Sequence, residues 1–250
     1  MKRIIIAGTK PSARFIDGDA AYFANGAIGF YADALPVYNC VNVVASTRVL
    51  SKSFFQSLDD VYRKKWDSVA KSKPDKLILI GESNESNLSF EVSQNLREQG
   101  FQAQIEIIRP EQIVGLITSL AYLRYPILTK KFFAQSVHIQ FKDFLNFLIY
   151  NFLDTHTEVK GKYRPSTGII SLLVAIVEYG NSAEYIIVGI GLNNRNLQQI
   201  KHEVISMKKL PKNTDLTPHV EADLAILRSL NKHYRISTTE PELAGVLNLI

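Results

Sequence analysis

The residues best suited to chemistry in this chain fall in two short polar turns, far apart in sequence. One is Ala7-Gly8-Thr9-Lys10-Pro11-Ser12, which follows the apolar run Ile4-Ile5-Ile6. The other is Arg164-Pro165-Ser166-Thr167-Gly168, which opens the apolar run from Ile169 to Val177. A helix N-terminus carries unpaired N–H groups and a partial positive charge, so it can hold phosphate or carboxylate. Gly8 lets a strand-to-helix turn bring backbone N–H groups to a phosphate or ribose, with Ser12 close by. Pro165 keeps Arg164 out of helical conformation, and Ser166 or Thr167 can cap the helix that follows. Their hydroxyls, the free amides and Arg164 would form a carboxylate or phosphate site. Two such turns suggest a ligand with two anionic parts, such as a nucleotide sugar. The plain alternative is a structural turn and an ordinary helix cap.

Among the histidines, His219 stands out. It follows Thr217-Pro218 at the first turn of an expected helix, where the helix dipole favours the neutral imidazole that a general base needs. A surface or capping histidine is the competing reading. His138, His156, His202 and His233 have no partners at metal-binding spacing, so no metal site is expected. Asp17-Gly18-Asp19 has the spacing of a cation-binding pair but reads equally as an acidic loop. The first turn lacks the second Gly-Lys-Ser/Thr of a P-loop and is not G-x-G-x-x-G. No G-x-S-x-G elbow occurs, which argues against a serine hydrolase.

Elements that could position these residues follow from the apolar periodicity. Expected strands are Arg3–Ala7, Val41–Ala45, Lys76–Ile80, Gln104–Ile108, Tyr185–Gly189 and Tyr234–Ser237. Between them lie expected helices at Ser53–Ala70, Leu88–Gln99, Pro110–Leu123, Phe132–Leu153, Thr167–Tyr179, Pro218–Asn231 and Pro241–Leu249. The segment from Gly81 to Asn87 reads as a loop. This alternation predicts an α/β fold: an open, mostly parallel sheet with helices on both faces. Ligands in such sheets bind at the carboxyl ends of the strands, where the turns after Ala7 and at Gly189 would lie. The chain reads as one domain over 1–250, with residues 124–163 forming a small helical lid.

Composition narrows the class. With 250 residues, 46% hydrophobic and 21% charged, the chain can bury a proper core. A net charge of +5 suits an anionic ligand or an acidic membrane surface, and the scattering of Lys and Arg argues against nucleic acid. The single cysteine, Cys40, excludes an internal disulfide framework and reads as a small buried hydrophobe in a reducing compartment. No signal peptide and no stretch near ~18 apolar residues is found, so a cytoplasmic protein is expected. The apolar run Leu243–Ile250 reads either as core or oligomer contact, or as a foothold on the inner membrane.

In this order, the motifs resemble the bacterial sialyltransferases of glycosyltransferase family 42. The matching features are Ala7-Gly8-Thr9-Lys10-Pro11-Ser12 after the first strand and Arg164-Pro165-Ser166-Thr167-Gly168 opening a buried helix. Gly189-Ile190 at a strand end, His219 before a late helix and Pro241-Glu242 near the end complete the set. The resemblance implies a Rossmann-like, GT-A-variant fold and an inverting glycosyltransferase that uses a CMP-activated nonulosonic acid and no metal or other cofactor. It implies that His219 takes the proton of the acceptor hydroxyl and that Arg164 orients the acceptor or the carboxylate. Ser166 and Thr167 would hold the sugar carboxylate, and Gly8, Thr9 and Ser12 would contact the nucleotide. Lys10 stands where the family has a second glycine and is expected to pair with a phosphate. Gly189 and Asn193 would also face the donor. Asn193 and Leu216 stand where the family places tyrosines against the leaving phosphate. The implied partners are a CMP-nonulosonate and a glycan or glycolipid acceptor such as lipooligosaccharide. Two alternatives remain: a non-catalytic relative that binds nucleotide or glycan, and an interaction protein whose anion sites are helix caps.

Overall fold

Strands buried on both faces need continuous apolar runs, because neither side of the sheet meets water. Ile4-Ile5-Ile6, Val43-Val44-Ala45 and Leu77-Ile78-Leu79 are such runs, and all nine residues are at most 2% exposed. A computed structural model of the chain describes residues 1–10, 16–30, 38–47, 67, 69, 71–81, 86–98, 100–124, 127, 133, 135–142, 144–145, 165–190 and 220–250. Its strands are β1 (Lys2–Ala7), β2 (Ala20–Ala24), β3 (Cys40–Ser46), β4 (Lys76–Ile80), β5 (Gln104–Ile108), β6 (Ala183–Val188), β7 (Arg235–Thr238) and β8 (Asn248–Leu249). They form one parallel sheet in the order β5-β4-β3-β2-β1-β6-β7-β8. This is the expected Rossmann-like α/β architecture.

The order reverses once. From β1 to β5 each new strand adds on one side, and then the chain returns to place β6 against the free edge of β1. A right-handed crossover must change faces when its direction of travel reverses. The helices obey this. Helix α1 (Ser86–Glu98), between β4 and β5, sends Val92 and Leu96 to the face lined by Ile5, Phe23, Val43 and Leu77. Helices α2 (Pro110–Ala121), α3 (Thr167–Tyr179) and α4 (Val220–Leu230) pack on the opposite face with Ile4, Tyr22, Val44 and Ile187. The point of reversal, between β1 and β6, is therefore a topological switch point.

Three expectations are corrected. Ala20–Ala24 is a strand that the sequence reading passed over, and all five residues are buried at the centre of the sheet. Residues 241–249 are not a helix: a 3-10 turn over Pro241–Leu243 leads to the short edge strand β8. Leu243 and Leu247 plug the core there, while Leu249 and Ile250 are half exposed, so Leu243–Ile250 is no continuous apolar surface. Ser86 and Asn87 belong to α1 rather than to a loop. Most of the expected helix 53–70 and of the expected lid, 124–163, lies outside the described residues. Among the described residues no helix is long and apolar enough to cross a membrane.

Candidate functional site

The two polar turns converge at the switch point. β1 and β6 end side by side, with Ala7 opposite Val188. The Gly8 N–H donates to the Val188 carbonyl at 2.8 Å, and the Lys10 N–H donates to the Gly189 carbonyl at 3.0 Å. Helix α3 precedes β6 and runs back along the sheet, so its N-terminus stands above the same strand ends. Ile190 lies between the two turns. A Cβ added at Gly8 would sit 2.8 Å from Ile190 Cγ1, and one at Gly168 would sit 2.6 Å from Ile190 Cδ1. At Gly8 the nearer obstacle is the Gly189 carbonyl oxygen, 2.3 Å from such a Cβ, so the backbone itself bars a side chain; at Gly168 the obstacle is the Ile190 side chain alone. Gly189 has φ 67, the left-handed backbone that favours glycine, and this turns the chain out of β6 beneath Ile190.

The end of β7 closes this arrangement with a buried charge cluster. Glu240 is 2% exposed. Its Oε1 accepts the Gly189 N–H at 2.6 Å, and its Oε2 meets Lys10 Nζ at 2.5 Å. Glu242 takes the other side of the same ammonium at 2.9 Å. Thr238 Oγ1 donates to the Ile187 carbonyl at 3.0 Å and accepts the Glu240 N–H at 3.0 Å, fixing where the carboxylate emerges. Burial works against the Lys10 charge, but the hydrogen bonds and fields of Glu240 and Glu242 outweigh it and raise its pKa above the ordinary lysine value. Lys10, expected to pair with a phosphate, here pairs with two carboxylates of the chain itself and ties the ends of β1, β6 and β7 together.

At α3 the cap reading holds, with an addition. Ser166 is the N-cap, and its hydroxyl accepts the Ile169 N–H at 3.4 Å. The Ser166 N–H donates to Asp223 Oδ1 at 2.8 Å. Asp223 lies in the first turn of α4, 3% exposed, so the chain's own carboxylate already occupies part of this anion-binding end. Burial pushes the Asp223 pKa up to about 7, against the lowering effect of the Ser166 hydrogen bonds. Thr167 is partly exposed beside it, and its carbonyl accepts the Ser171 hydroxyl at 2.9 Å.

Of the sequence-predicted residues, the structure brings together Gly8, Thr9, Lys10, Ser166, Thr167 and Gly189. Ser12, Arg164, Asn193 and His219 lie outside the described residues; α4 is described from Val220, the residue after His219. Asp17-Gly18-Asp19 belongs elsewhere. It precedes β2 at the amino end of the sheet, where Asp19 Oδ2 accepts the Arg3 N–H at 2.7 Å, so it is a structural turn. Among the described residues no group of three or more His, Cys, Asp or Glu side chains could hold a metal ion. Cys40 is partly buried at the start of β3. Burial foremost, then the field of Asp75, pushes its thiol pKa up, which suits a structural role rather than a nucleophile.

Three residues here were missed in the sequence: Glu240, Glu242 and Asp223. Asp223 had a readable signal. It shares one helical stripe with Ile226, Leu227 and Leu230, at spacings i+3, i+4 and i+7, so a carboxylate was bound to face the core. Glu240 and Glu242 flank Pro241 just past a strand, at the carboxyl end where α/β sheets keep their functional groups.

No protein-family model matches this chain, and comparisons with curated proteins and with solved structures return no match.

Proposed function

We propose that this chain is an inverting glycosyltransferase that moves a nonulosonic acid from a CMP-sugar to a hydroxyl of a cell-surface glycan such as lipooligosaccharide. The observation that carries this reading is the meeting of the Gly8 turn and the α3 N-terminus on either side of Ile190, at the switch point between β1 and β6. Dinucleotides and nucleotides bind at such points in open parallel sheets. A donor with a phosphate and a carboxylate matches two anion-binding turns in one crevice. His219, next to the first residue of α4, would take the acceptor proton. Arg164, next to Pro165, would orient the acceptor or carboxylate. Fixed backbone donors would then stabilise the departing phosphate without a metal. The protein would work in the cytoplasm, at the inner face of the inner membrane where lipid-linked acceptors lie.

A second reading, a non-catalytic relative that binds nucleotide or glycan, is favoured by one observation. Lys10 and the Ser166 N–H, both expected to face the donor, are taken by Glu240, Glu242 and Asp223.

Thermal unfolding with CMP, CDP, UDP, GDP and ADP tests both readings. The transferase reading expects CMP alone to raise the melting temperature, in the wild type and in His219→Ala alike, while donor turnover is lost in the variant. Stabilisation by CMP with no turnover of CMP-sialate or CMP-Kdo by the wild type selects the second reading. No shift with any nucleotide overturns the transferase reading and confines the second to glycan binding.

A further inference from the structure

At the amino end of the sheet, opposite the crevice, helices α2 and α4 finish side by side. Ser229 Oγ donates to the Ala121 carbonyl at 2.5 Å, and the Tyr122 and His233 rings meet with 4.8 Å between centroids. Tyr122 caps α2 with φ 53, a left-handed backbone that a bulky residue seldom adopts and glycine adopts freely. Its ring is 68% exposed, so burial does not explain why a tyrosine stands there. Tyr234 is close by: burial foremost, then the field of Tyr122, raises its pKa. Beside these rings are three exposed cations: Arg124 just past α2, Arg228 in the last turn of α4, and Lys232 four residues on. Among the described residues, none of the three has an ion-pair partner or caps a helix carbonyl. Neither residues 112–124 nor residues 224–239 contain an acid. The helix dipoles account for a cation at each C-terminus, and not for an exposed ring in a disfavoured backbone between them.

We infer that this patch binds single-stranded nucleic acid, with a base stacked on Tyr122 and phosphates on Arg124, Arg228 and Lys232. Scattered in the sequence, these cations are gathered by the fold where the two helices end. Unpaired cations with no acid beside them call for an anionic partner. The rings choose among anions. An exposed aromatic face next to Arg and Lys is the pairing that holds single strands, because every base has a face to stack and every linkage a phosphate. A duplex keeps its bases inside. A bilayer would need aliphatic side chains to enter it, and Tyr122 is the one large apolar side chain exposed in the patch. A second copy of the same face would set cations against cations. The inference does not rest on the transferase reading.

Fluorescence anisotropy of the full chain with a labelled oligothymidine tests it. The strand should bind, more tightly than a duplex of the same length. The plot of log affinity against log salt should have a slope of about −2, as three phosphate contacts to a single strand give. Tyr122→Gly separates recognition from folding. Glycine suits the left-handed backbone, so the variant should melt at or above the wild-type temperature, yet lose about fivefold or more in affinity with the stacking ring. Arg124→Ala with Lys232→Ala should weaken binding and make the salt slope shallower by about 0.7 for each cation removed. The inference is overturned if the strand does not bind, if the duplex binds as tightly, or if Tyr122→Gly leaves the affinity unchanged. Polyglutamate or phosphatidylglycerol vesicles that displace the strand from the wild type but not from the double alanine variant would assign the patch to an acidic protein or a lipid surface instead. A Tyr122→Gly protein that melts below the wild type would make the contact with His233 a structural one, and would overturn it too.

Discussion

The two ends of the sheet are built differently. At the amino end, polar groups are tied by bonds that any parallel sheet could use. Lys76 bridges Glu106 at 3.4 Å and Glu178 at 3.5 Å with all three side chains partly exposed, and Asp19 and Asp75 carboxylates accept the Arg3 and Val41 N–H groups. At the carboxyl end, a 2% exposed glutamate, a 3% exposed aspartate, a left-handed glycine and two glycines with no room for a Cβ crowd around one pair of strand ends. Burying carboxylates costs free energy that a fold alone has no reason to spend. The difference teaches where this chain accepts buried carboxylates: among the described residues, Asp223 and Glu240 both lie at the switch point.

This contrast can be broken by substitution. Glu240→Ala leaves Lys10 with one carboxylate and the Gly189 N–H without its acceptor. Removing one partner of a buried pair is expected to cost about 3–5 kcal/mol in chemical denaturation. Glu240→Gln keeps the acceptor and should fall between the wild type and Glu240→Ala. A loss under 1 kcal/mol for the alanine variant would put this pair on the same footing as the amino-end ones.

Gly8→Ala drives a methyl group into the Gly189 backbone and Ile190. An overpacking penalty of about 1–3 kcal/mol is expected. Combined with Ile190→Ala, which leaves the Gly189 carbonyl in place, most of the penalty should persist, and full relief would show that the backbone is not the obstacle.

Asp223 sharpens the comparison through pH. Its carboxyl pKa is raised in the folded chain to about 7. A group whose folded pKa is raised holds its proton more tightly when folded, so its contribution to stability falls as pH rises, from about pH 4 to pH 7. Above that window the contribution is flat. In Asp223→Asn this decline should vanish. The variant's melting temperature relative to wild type should therefore climb steadily across the window, and parallel profiles for the two proteins would refute the assignment. The smallest effect belongs to the amino end. Lys76→Ala removes two partly exposed ion pairs and should cost roughly 0–1 kcal/mol, less still at high salt.

Much of the fold was legible because both-face burial leaves a mark no other structure leaves in so few residues. The apolar runs of β1, β3, β4, β5, β6 and β7 were readable with ends shifted by a residue or two, and α3 runs over Thr167–Tyr179 as its cap and terminal glycine imply. β2 escaped because Ala-Ala-Tyr-Phe-Ala has no β-branched residue, although a turn at Asp17-Gly18-Asp19 and another at Asn25-Gly26 bound it. The C-terminal helix was overread: Leu243 and Leu247 have helical spacing, but Gly245 lies between them and their burial comes from a turn. In the candidate site, the turns themselves were legible, being local. Their partners were not, since Lys10 and Glu240 are 230 residues apart and no local pattern couples them.

The strand order also sets a timetable for synthesis. β1 pairs with β6 through Lys2 to Ala7 against Ala183 to Val188, so the first strand waits for a partner from the last third of the chain. Until then a five-stranded half-sheet presents an isoleucine-rich strand with a bare edge, the kind of surface that recruits other chains. Contacts this distant in sequence also form slowly. The crevice is therefore the last part of the sheet's centre to exist, and the nascent chain is most open to misassembly at the very strand on which its candidate site depends.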